Sequence, residues 1–202
     1  MGNHGGVTDT PPSEDPLAGL AWPIATDRLT LRRAVPDDDR TTWPIRRLPE
    51  VYEWITTAPE TFEQYAGYFR APDRLAVTVI IERAGEVIGD LMIRIDDAWS
   101  QTEVRAVAQG VQAELGWTLH PDQRGKGYAT EAVRAAIELC FGPLGLRRVV
   151  AGCFADNTAS WQLMERVGLR REGHAIRDGL HRSGRWLDGY TYALLREEWP
   201  DR

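Results

Sequence analysis

Residues 114 to 130 read Glu-Leu-Gly-Trp-Thr-Leu-His-Pro-Asp-Gln-Arg-Gly-Lys-Gly-Tyr-Ala-Thr, and their types and spacing suit the binding of an anion. A strand-like run ends at His120-Pro121-Asp122, a loop follows, and a helical pattern opens at Thr130. Gly125 and Gly127 let the backbone turn so that successive N–H groups can face one point. Arg124 and Lys126 add positive charge, and the helix start adds the positive end of its dipole. Together these parts make a site for a phosphate or pyrophosphate. Read alone, the same run is also compatible with a glycine-rich turn carrying solvated cations.

Two better-known phosphate loops fit poorly. A nucleoside-triphosphate loop needs Gly-Lys followed by Ser or Thr, and Lys126 is followed by Gly127. A dinucleotide fingerprint wants a small residue where Thr130 stands, and an early place in a parallel βαβ unit. Composition narrows the classes further. The chain has 202 residues, 43% of them hydrophobic, with eight tryptophans, enough to bury the core of one domain. A net charge of −6 counts against general nucleic-acid binding and against a membrane surface as partner. Cations gather locally at 124–134 and 166–171, which suits a small anionic ligand. Cys140 and Cys153 lie in apolar runs and suggest neither a disulfide framework nor a redox pair, and no Cys/His set has metal-ligand spacing. No apolar run approaches the roughly 20 residues needed to span a bilayer, and the start lacks a secretory h-region. The expected compartment is the cytoplasm.

The elements that must position the loop follow from pattern. Residues 1–24, rich in Gly and Pro, are expected to be a disordered arm, and 25–202 a single domain. His4 in the arm has no expected role. Leu29 to Arg33 reads as a strand, and Pro36 followed by Asp37, Asp38 and Asp39 as a helix start. Glu50 to Ile55 and Glu60 to Phe69 read as short helices, the second introduced by Pro59. Leu75 to Glu82 and Val87 to Ile95 form a hairpin about Ala84-Gly85; residues 96–105 form a polar loop. A long strand is expected from Val107 to Leu119, then a helix from Thr130 to Phe141 ended by Gly142-Pro143. A strand over Arg148 to Phe154, a helix from Asp156-Asn157 to Gly168, and strands over Arg170 to Ile176 and Trp186 to Leu195 complete the chain. Hairpins mixed with helical crossovers make the class α+β with a mixed sheet.

The run Arg124-Gly125-Lys126-Gly127-Tyr128-Ala129 resembles the pyrophosphate loop of the Gcn5-related N-acetyltransferase (GNAT) superfamily. Three further runs resemble that family in the right order. Thr26-Asp27-Arg28-Leu29-Thr30-Leu31-Arg32 is similar to the opening strand of its branch related to ribosomal-protein N-terminal acetyltransferases. Glu114 to Leu119 is similar to the strand before the loop, and Asn157-Thr158-Ala159-Ser160, ending at Gly168-Leu169, to the later Asn-x-x-Ser helix. The resemblance implies a mostly antiparallel twisted sheet flanked by helices, whose fourth and fifth strands splay to admit acyl-coenzyme A. It implies acetyl-CoA as cosubstrate, no metal, and an amine acceptor as partner; exposed edges in this fold pair in some relatives, so a homodimer is among the expected states. Backbone groups of Trp117, Thr118 and Leu119 would pair with the pantetheine arm. The N–H groups of Arg124, Gly125, Lys126, Gly127, Tyr128 and Ala129, with Thr130, would hold the pyrophosphate.

Acyl transfer from a thioester to an amine needs a neutral amine, a stabilised oxyanion and a departing thiolate. A lysine-like amine has a pKa near 10.4, an α-amine about 8 and a thiol about 8.5, so deprotonating the amine is the harder proton problem. By resemblance Glu114 is the base, direct or through water, and Ser160 the group that protonates the thiolate. Each has a plainer alternative: Glu114 as a solvent-facing or ion-paired strand residue, Ser160 as a first-turn residue satisfying backbone. Asn157 would bond the pantetheine arm, and is equally a favoured helix N-cap. Many relatives carry an acidic Tyr four residues after the serine; Met164 stands there instead. Trp43, Tyr52, Trp54, Tyr65 and Tyr68 lie in the region that borders the acceptor cleft by resemblance, where aromatic rings can pack on an amine or simply fill core. His120 is expected to end a strand, and His174 and His181 fall in the final hairpin. Two other classes compete with an enzyme that acetylates an amine in a ternary complex. One is a non-catalytic acyl-CoA sensor or scaffold of the same fold, the other a nucleotide-binding oxidoreductase.

Overall fold

A computed structural model describes residues 15–199. Eight strands form one sheet in the order β1-β2-β3-β4-β5-β6-β8-β7. They are β1 (Ile24–Ala25), β2 (Thr30–Arg33), β3 (Thr78–Arg83), β4 (Glu86–Asp96), β5 (Gln112–Leu119), β6 (Arg148–Phe154), β7 (Arg170–Leu180) and β8 (Trp186–Leu195). Every neighbouring pair is antiparallel except β5 with β6. The helices are α1 (Asp39–Arg46), α2 (Pro49–Tyr52), α3 (Phe62–Phe69), α4 (Pro72–Val77), α5 (Tyr128–Phe141) and α6 (Thr158–Arg166).

Alternation along β3 shows how the layers form. Val79 and Ile81 enter a large apolar cluster with α5 and α6, while Ile80 points the other way onto Tyr65 and Phe69 of α3. A central strand covered on both faces needs apolar residues at successive positions, and Val79-Ile80-Ile81 supplies them. The stripe Ala132, Val133, Ala136, Ile137 and Cys140 of α5 recurs at helical spacing and is buried against β4, β5 and β6. Burial pushes the Cys140 thiol pKa up to about 12, so this cysteine stays a protonated packing group. Among the described residues no helix is long and apolar enough to cross a membrane.

Several expectations change. Residues 15–24 are not part of a loose arm; residues 1–14 lie outside the described residues, His4 among them. Asp15 takes both guanidinium nitrogens of Arg33, at 2.8 and 2.5 Å, and Leu17 is fully buried in the main core. Trp22 ties this turn back through Nε1 to the Leu17 carbonyl at 2.9 Å. The Gly and Pro count hid three anchors, because one buried Leu outweighs a turn-rich composition. Leu17→Ala is expected to cost about 2–4 kcal/mol, lowering the melting temperature by roughly 5–10 °C in a thermal scan.

The hairpin starts at Thr78 rather than Leu75, since Pro72 at a first-turn position nucleates α4. The long strand starts at Gln112 rather than Val107, because Thr102–Ala108 winds into a 3-10 helix. The helix expected at 50–55 is confined to Pro49–Tyr52, and α3 is capped by the Thr61 hydroxyl rather than started by Pro59. The final hairpin is longer than expected, β7 running to Leu180 with a register shift between Ala175 and Gly179. The short β1 also renumbers the sheet, so the splayed strands are the fifth and sixth in chain order.

Candidate active site

Parallel pairing of β5 with β6 covers only Gln112–Glu114 against Arg148–Val150. Beyond Glu114 the strands separate, and a cleft of about 960 Å³ opens between them. Backbone groups of Leu115 to Leu119 that point away from β4 therefore have no strand partner. At the end of β5 the Asp122 N–H donates to His120 Nδ1 at 3.2 Å, closing a short 3-10 turn over Pro121–Gln123. Gly125 and Gly127 follow with φ of 73° and 82°. Gly127 is the N-cap of α5, and the first intrahelical bond runs from the Glu131 N–H to the Gly127 carbonyl at 3.0 Å. The N–H groups of Tyr128, Ala129 and Thr130 are therefore free of helical partners and sit at the positive end of the dipole.

The opening motif braces this loop from outside. Arg28 donates to the Lys126 carbonyl at 2.9 Å and to Glu131 Oε2 at 2.7 Å, and its guanidinium lies 4.7 Å above the Tyr128 ring. Thr26 Oγ1 and the Arg28 N–H donate to Glu131 Oε1 at 2.5 and 2.8 Å. Burial works against the charge on Glu131, but the Thr26 and Arg28 donors outweigh it and hold its carboxyl below the ordinary value of 4.5. The linkage sign follows. A lowered folded pKa gives stability that is present above 4.5 and lost as pH falls through the folded value. Glu131→Gln is therefore expected to lower the melting temperature at pH 7 and to flatten its decline between about pH 5 and 3. Thermal scans across that range test it; an unchanged slope would remove Glu131 from the acid response.

Trp117, Thr118, Leu119, Arg124, Gly125, Gly127, Tyr128, Ala129, Thr130 and Asn157 all line the cleft. The Tyr128 ring itself is buried, so its contribution is its backbone. Lys126 stands apart: it is not in the cleft wall, and its ammonium reaches Gln123 Oε1 at 3.4 Å. Arg166 takes the position that charge pattern alone would give to Lys126. It lines the cleft, and its Nη1 lies 3.5 Å from Thr130 Oγ1. Its sequence signal was the cationic run at 166–171.

Glu114 and Ser160 both line the cleft. Glu114 occupies the last paired register position, opposite Val150, and its carboxylate is salt-bridged to Arg94 of β4. Arg94 also binds Asp96 at 3.1 Å. Asn157 caps α6 by accepting the Ser160 N–H at 3.3 Å, which leaves its amide N–H groups free. The Ser160 hydroxyl contacts Cys153, whose thiol burial pushes upward more strongly than that contact lowers it. Met164 is buried in the main core, away from the cleft.

The aromatic residues divide. Trp43, Tyr65 and Phe69 pack together under the sheet, with Trp43 and Tyr65 centroids 5.3 Å apart; burial raises the Tyr65 pKa to about 12. Trp54 and Tyr68 line the cleft, whereas Tyr52 lies exposed under Arg182, 5.7 Å from its ring. His181 is buried against Trp54 and Phe154 and bonds the Glu53 carbonyl at 2.9 Å, tying the final hairpin to the segment after α2. His174 pairs with Asp188 at 2.7 Å outside this cleft. A buried ion pair, Arg46 with Asp90, lies at the cleft floor. Burial opposes the Arg46 charge, and Asp90 reverses that, raising its pKa. No sequence pattern points to Arg46 as a lining residue.

A strand split thus lies beside a helix N-terminus whose first N–H groups have no helical partner, and comparison with known proteins gives the family. The family model described as an acetyltransferase (GNAT) domain matches residues 28–170. An uncharacterized N-acetyltransferase of Bacillus subtilis, YnaD, is 40% identical over 86 residues, 43% of this chain and 50% of the relative. The matched segment thus spans half that relative's length. The crystal structure of a GNAT-family acetyltransferase from Bacillus anthracis has a TM-score of 0.73 and 27% identity, covering 87% of this chain and 99% of that one. Mycobacterium smegmatis RimJ in complex with CoA-disulfide has a TM-score of 0.69 and 24% identity, covering 86% of this chain and 84% of that one. The chain belongs to the GNAT family of acetyltransferases.

Proposed function

We propose that this chain transfers acetyl from acetyl-CoA to a primary amine by direct attack in a ternary complex. The observation that carries this reading is the split beyond Glu114, placed against the unpartnered N–H groups of Tyr128, Ala129 and Thr130. The coenzyme bound to RimJ, a protein of the same fold, supports the ligand class. The pyrophosphate would rest on the Arg124–Thr130 loop between Arg124 and Arg166. The amide-bearing arm would lie along β5, pairing as a strand does with Trp117, Thr118 and Leu119. Acetyl-CoA supplies the activated thioester; the chain's own residues do the rest.

Catalysis then rests on placement. Holding amine and thioester together accounts for as much as about 7–11 kcal/mol of barrier. Glu114, directed by Arg94, takes the amine proton directly or through water. An N–H of the diverging strand β5 faces the developing oxyanion. Ser160 gives a proton to the thiolate as it leaves. Neither cysteine forms an acyl-enzyme in this scheme: Cys140 is sealed in the core and the Cys153 thiol is held protonated by burial. The catalytic unit is the domain from the Asp15 turn onward, and its compartment is the cytoplasm, where acetyl-CoA is available.

The deciding experiment is calorimetric titration with acetyl-CoA, using NADPH and ATP as controls, followed by an amine screen for thiol release. Micromolar binding of acetyl-CoA alone, with turnover on some amine, is the expected result. Binding of NADPH in its place would mark the oxidoreductase class. Binding without turnover on any amine would leave a coenzyme sensor.

A further inference from the structure

Three arginines are set by alternate residues of β4, and two of them, Arg46 and Arg74, line the cleft while Arg94 does not. Arg46 is paired with Asp90, and Arg94 is itself paired with Glu114 and Asp96. Between them Arg74, at the end of α4's first turn, reaches over Met92, with Nη1 3.8 Å from the sulfur. Positions 90, 92 and 94 are alternate residues of β4, about 7 Å apart along one face of the strand. The outer two arginines are neutralised. Among the described residues no carboxylate lies within ion-pair distance of Arg74. Its other contact is the face of Tyr68, 5.0 Å from the ring centroid.

Arg74 is half-buried and lines the cleft. None of its nitrogens is a buried donor without a partner, so its fork stays open to the cleft and free to take a carboxylate. The cross-strand partner of Met92 is Gly116, so no β5 side chain stands between Arg74 and the splay. The other unpaired cations in the cleft wall, Arg124 and Arg166, belong to the coenzyme end. Glu50 in α2 and Asp178 in β7 also line the cleft without a salt bridge, and the Glu50 carbonyl accepts from Arg124 Nη2 at 2.9 Å, on the coenzyme side.

Resting on the acetyl-transfer reading, we infer that Arg74 is the anchor for a carboxylate on the acceptor, which is therefore a small amino acid. Its carboxylate docks on the planar fork of Arg74, stacked on Tyr68. Its amine points one strand step along β4, to the Arg94–Glu114 pair where the thioester lies. The amine loses its proton and attacks the thioester carbonyl; the carbon–sulfur bond breaks, and the products are an N-acetyl amino acid and coenzyme A. Arg74 touches substrate and takes no part in the proton transfers.

The test compares acids with their own carboxamides: glycine, β-alanine and γ-aminobutyrate against the three amides, with rates referred to the neutral amine. The purified full chain and acetyl-CoA are used, and thiol release is followed. At least one acid should exceed its amide about 30- to 100-fold in kcat/KM, as expected for a charge-assisted bidentate contact. Arg74→Met keeps the stem against Tyr68 and should erase that preference through KM. It should leave acetyl-CoA affinity and turnover of the amides within about twofold, and Arg74→Lys should restore part of the preference. Calorimetric binding of the preferred acid to the CoA-loaded protein, lost in Arg74→Met, gives a readout free of turnover. Equal use of every acid and its amide, or inertness of all six amines in protein that binds acetyl-CoA, overturns the inference. An Arg74→Met loss shared equally by acids and amides also overturns it and assigns Arg74 to packing. Failure to bind acetyl-CoA at all would instead sink the acetyl-transfer reading, so the two failures are distinct.

Discussion

Gly127→Val is expected to raise the dissociation constant for acetyl-CoA by at least about 100-fold. Gly127 holds φ at 82° as N-cap of α5, in the left-handed region where a β-branched residue is strongly disfavoured. Adopting that conformation costs of order 1–3 kcal/mol, so relief comes by unwinding the first helical turn. That turn carries the free N–H groups of Tyr128, Ala129 and Thr130. A Cβ at this position would also meet Arg28 Nη2 at 3.3 Å, loosening the brace on the Lys126 carbonyl. Calorimetry gives the affinity, and circular dichroism reports whether the rest of the fold survives. Unchanged affinity in folded protein would show that the phosphates bind elsewhere.

Glu114→Gln should slow acetyl transfer by about 100-fold at saturating acceptor, while the affinity for acetyl-CoA stays within about twofold. Gln keeps the shape of the side chain and one acceptor for Arg94, so the strand register survives. It loses the ability to take a proton, so the loss belongs in kcat rather than in coenzyme binding. The partner variant Arg94→Gln separates direction from proton transfer. It leaves the carboxylate in place but unguided, and a smaller loss is expected. If Glu114→Gln turns over at the normal rate, water or the amine's own neutral fraction carries the proton, and Glu114 is an ion-pair residue of the sheet.

Much of this site is legible in the chain because its parts are local. The loop from Arg124 to Thr130, the strand before it and the Asn157 cap are contiguous runs, and short-range chemistry dictates their geometry. What escapes the sequence is what the sheet brings together over distance. The Thr26-Asp27-Arg28 run reads as the start of a strand, yet Thr26 and Arg28 clamp Glu131, more than a hundred positions along. Lys126 and Arg166 show the same limit. Charge pattern favours a lysine inside the glycine loop, but the turn aims it at Gln123, and the helix stop at Gly168 brings Arg166 to Thr130. Arg46, Arg74 and Arg94 fall in three separate elements with no shared pattern, and only the packing of α1 and α4 on β4 brings the first two beside Asp90 and Met92. The boundary misses have a common cause. Apolar residues at 75–77 and 107–111 fit a strand period, but Pro72 starts a helix, and a 3-10 helix runs to Ala108.

The short parallel seam of β5 with β6 has a consequence for the life of the protein. With three register positions joining them, the sheet is two half-sheets meeting at a hinge line, and the row of idle amides beyond it is an unfinished ladder. A ligand that lies along that row acts as a ninth, removable strand. The amide hydrogens of Leu115 to Leu119 that point away from β4 should therefore exchange quickly in the empty protein and slowly in the loaded one. At a hundredfold excess over its dissociation constant such a ligand adds about 2.7 kcal/mol of stability. Resistance to proteolysis, and with it abundance, would then rise and fall with the supply of acetyl-CoA.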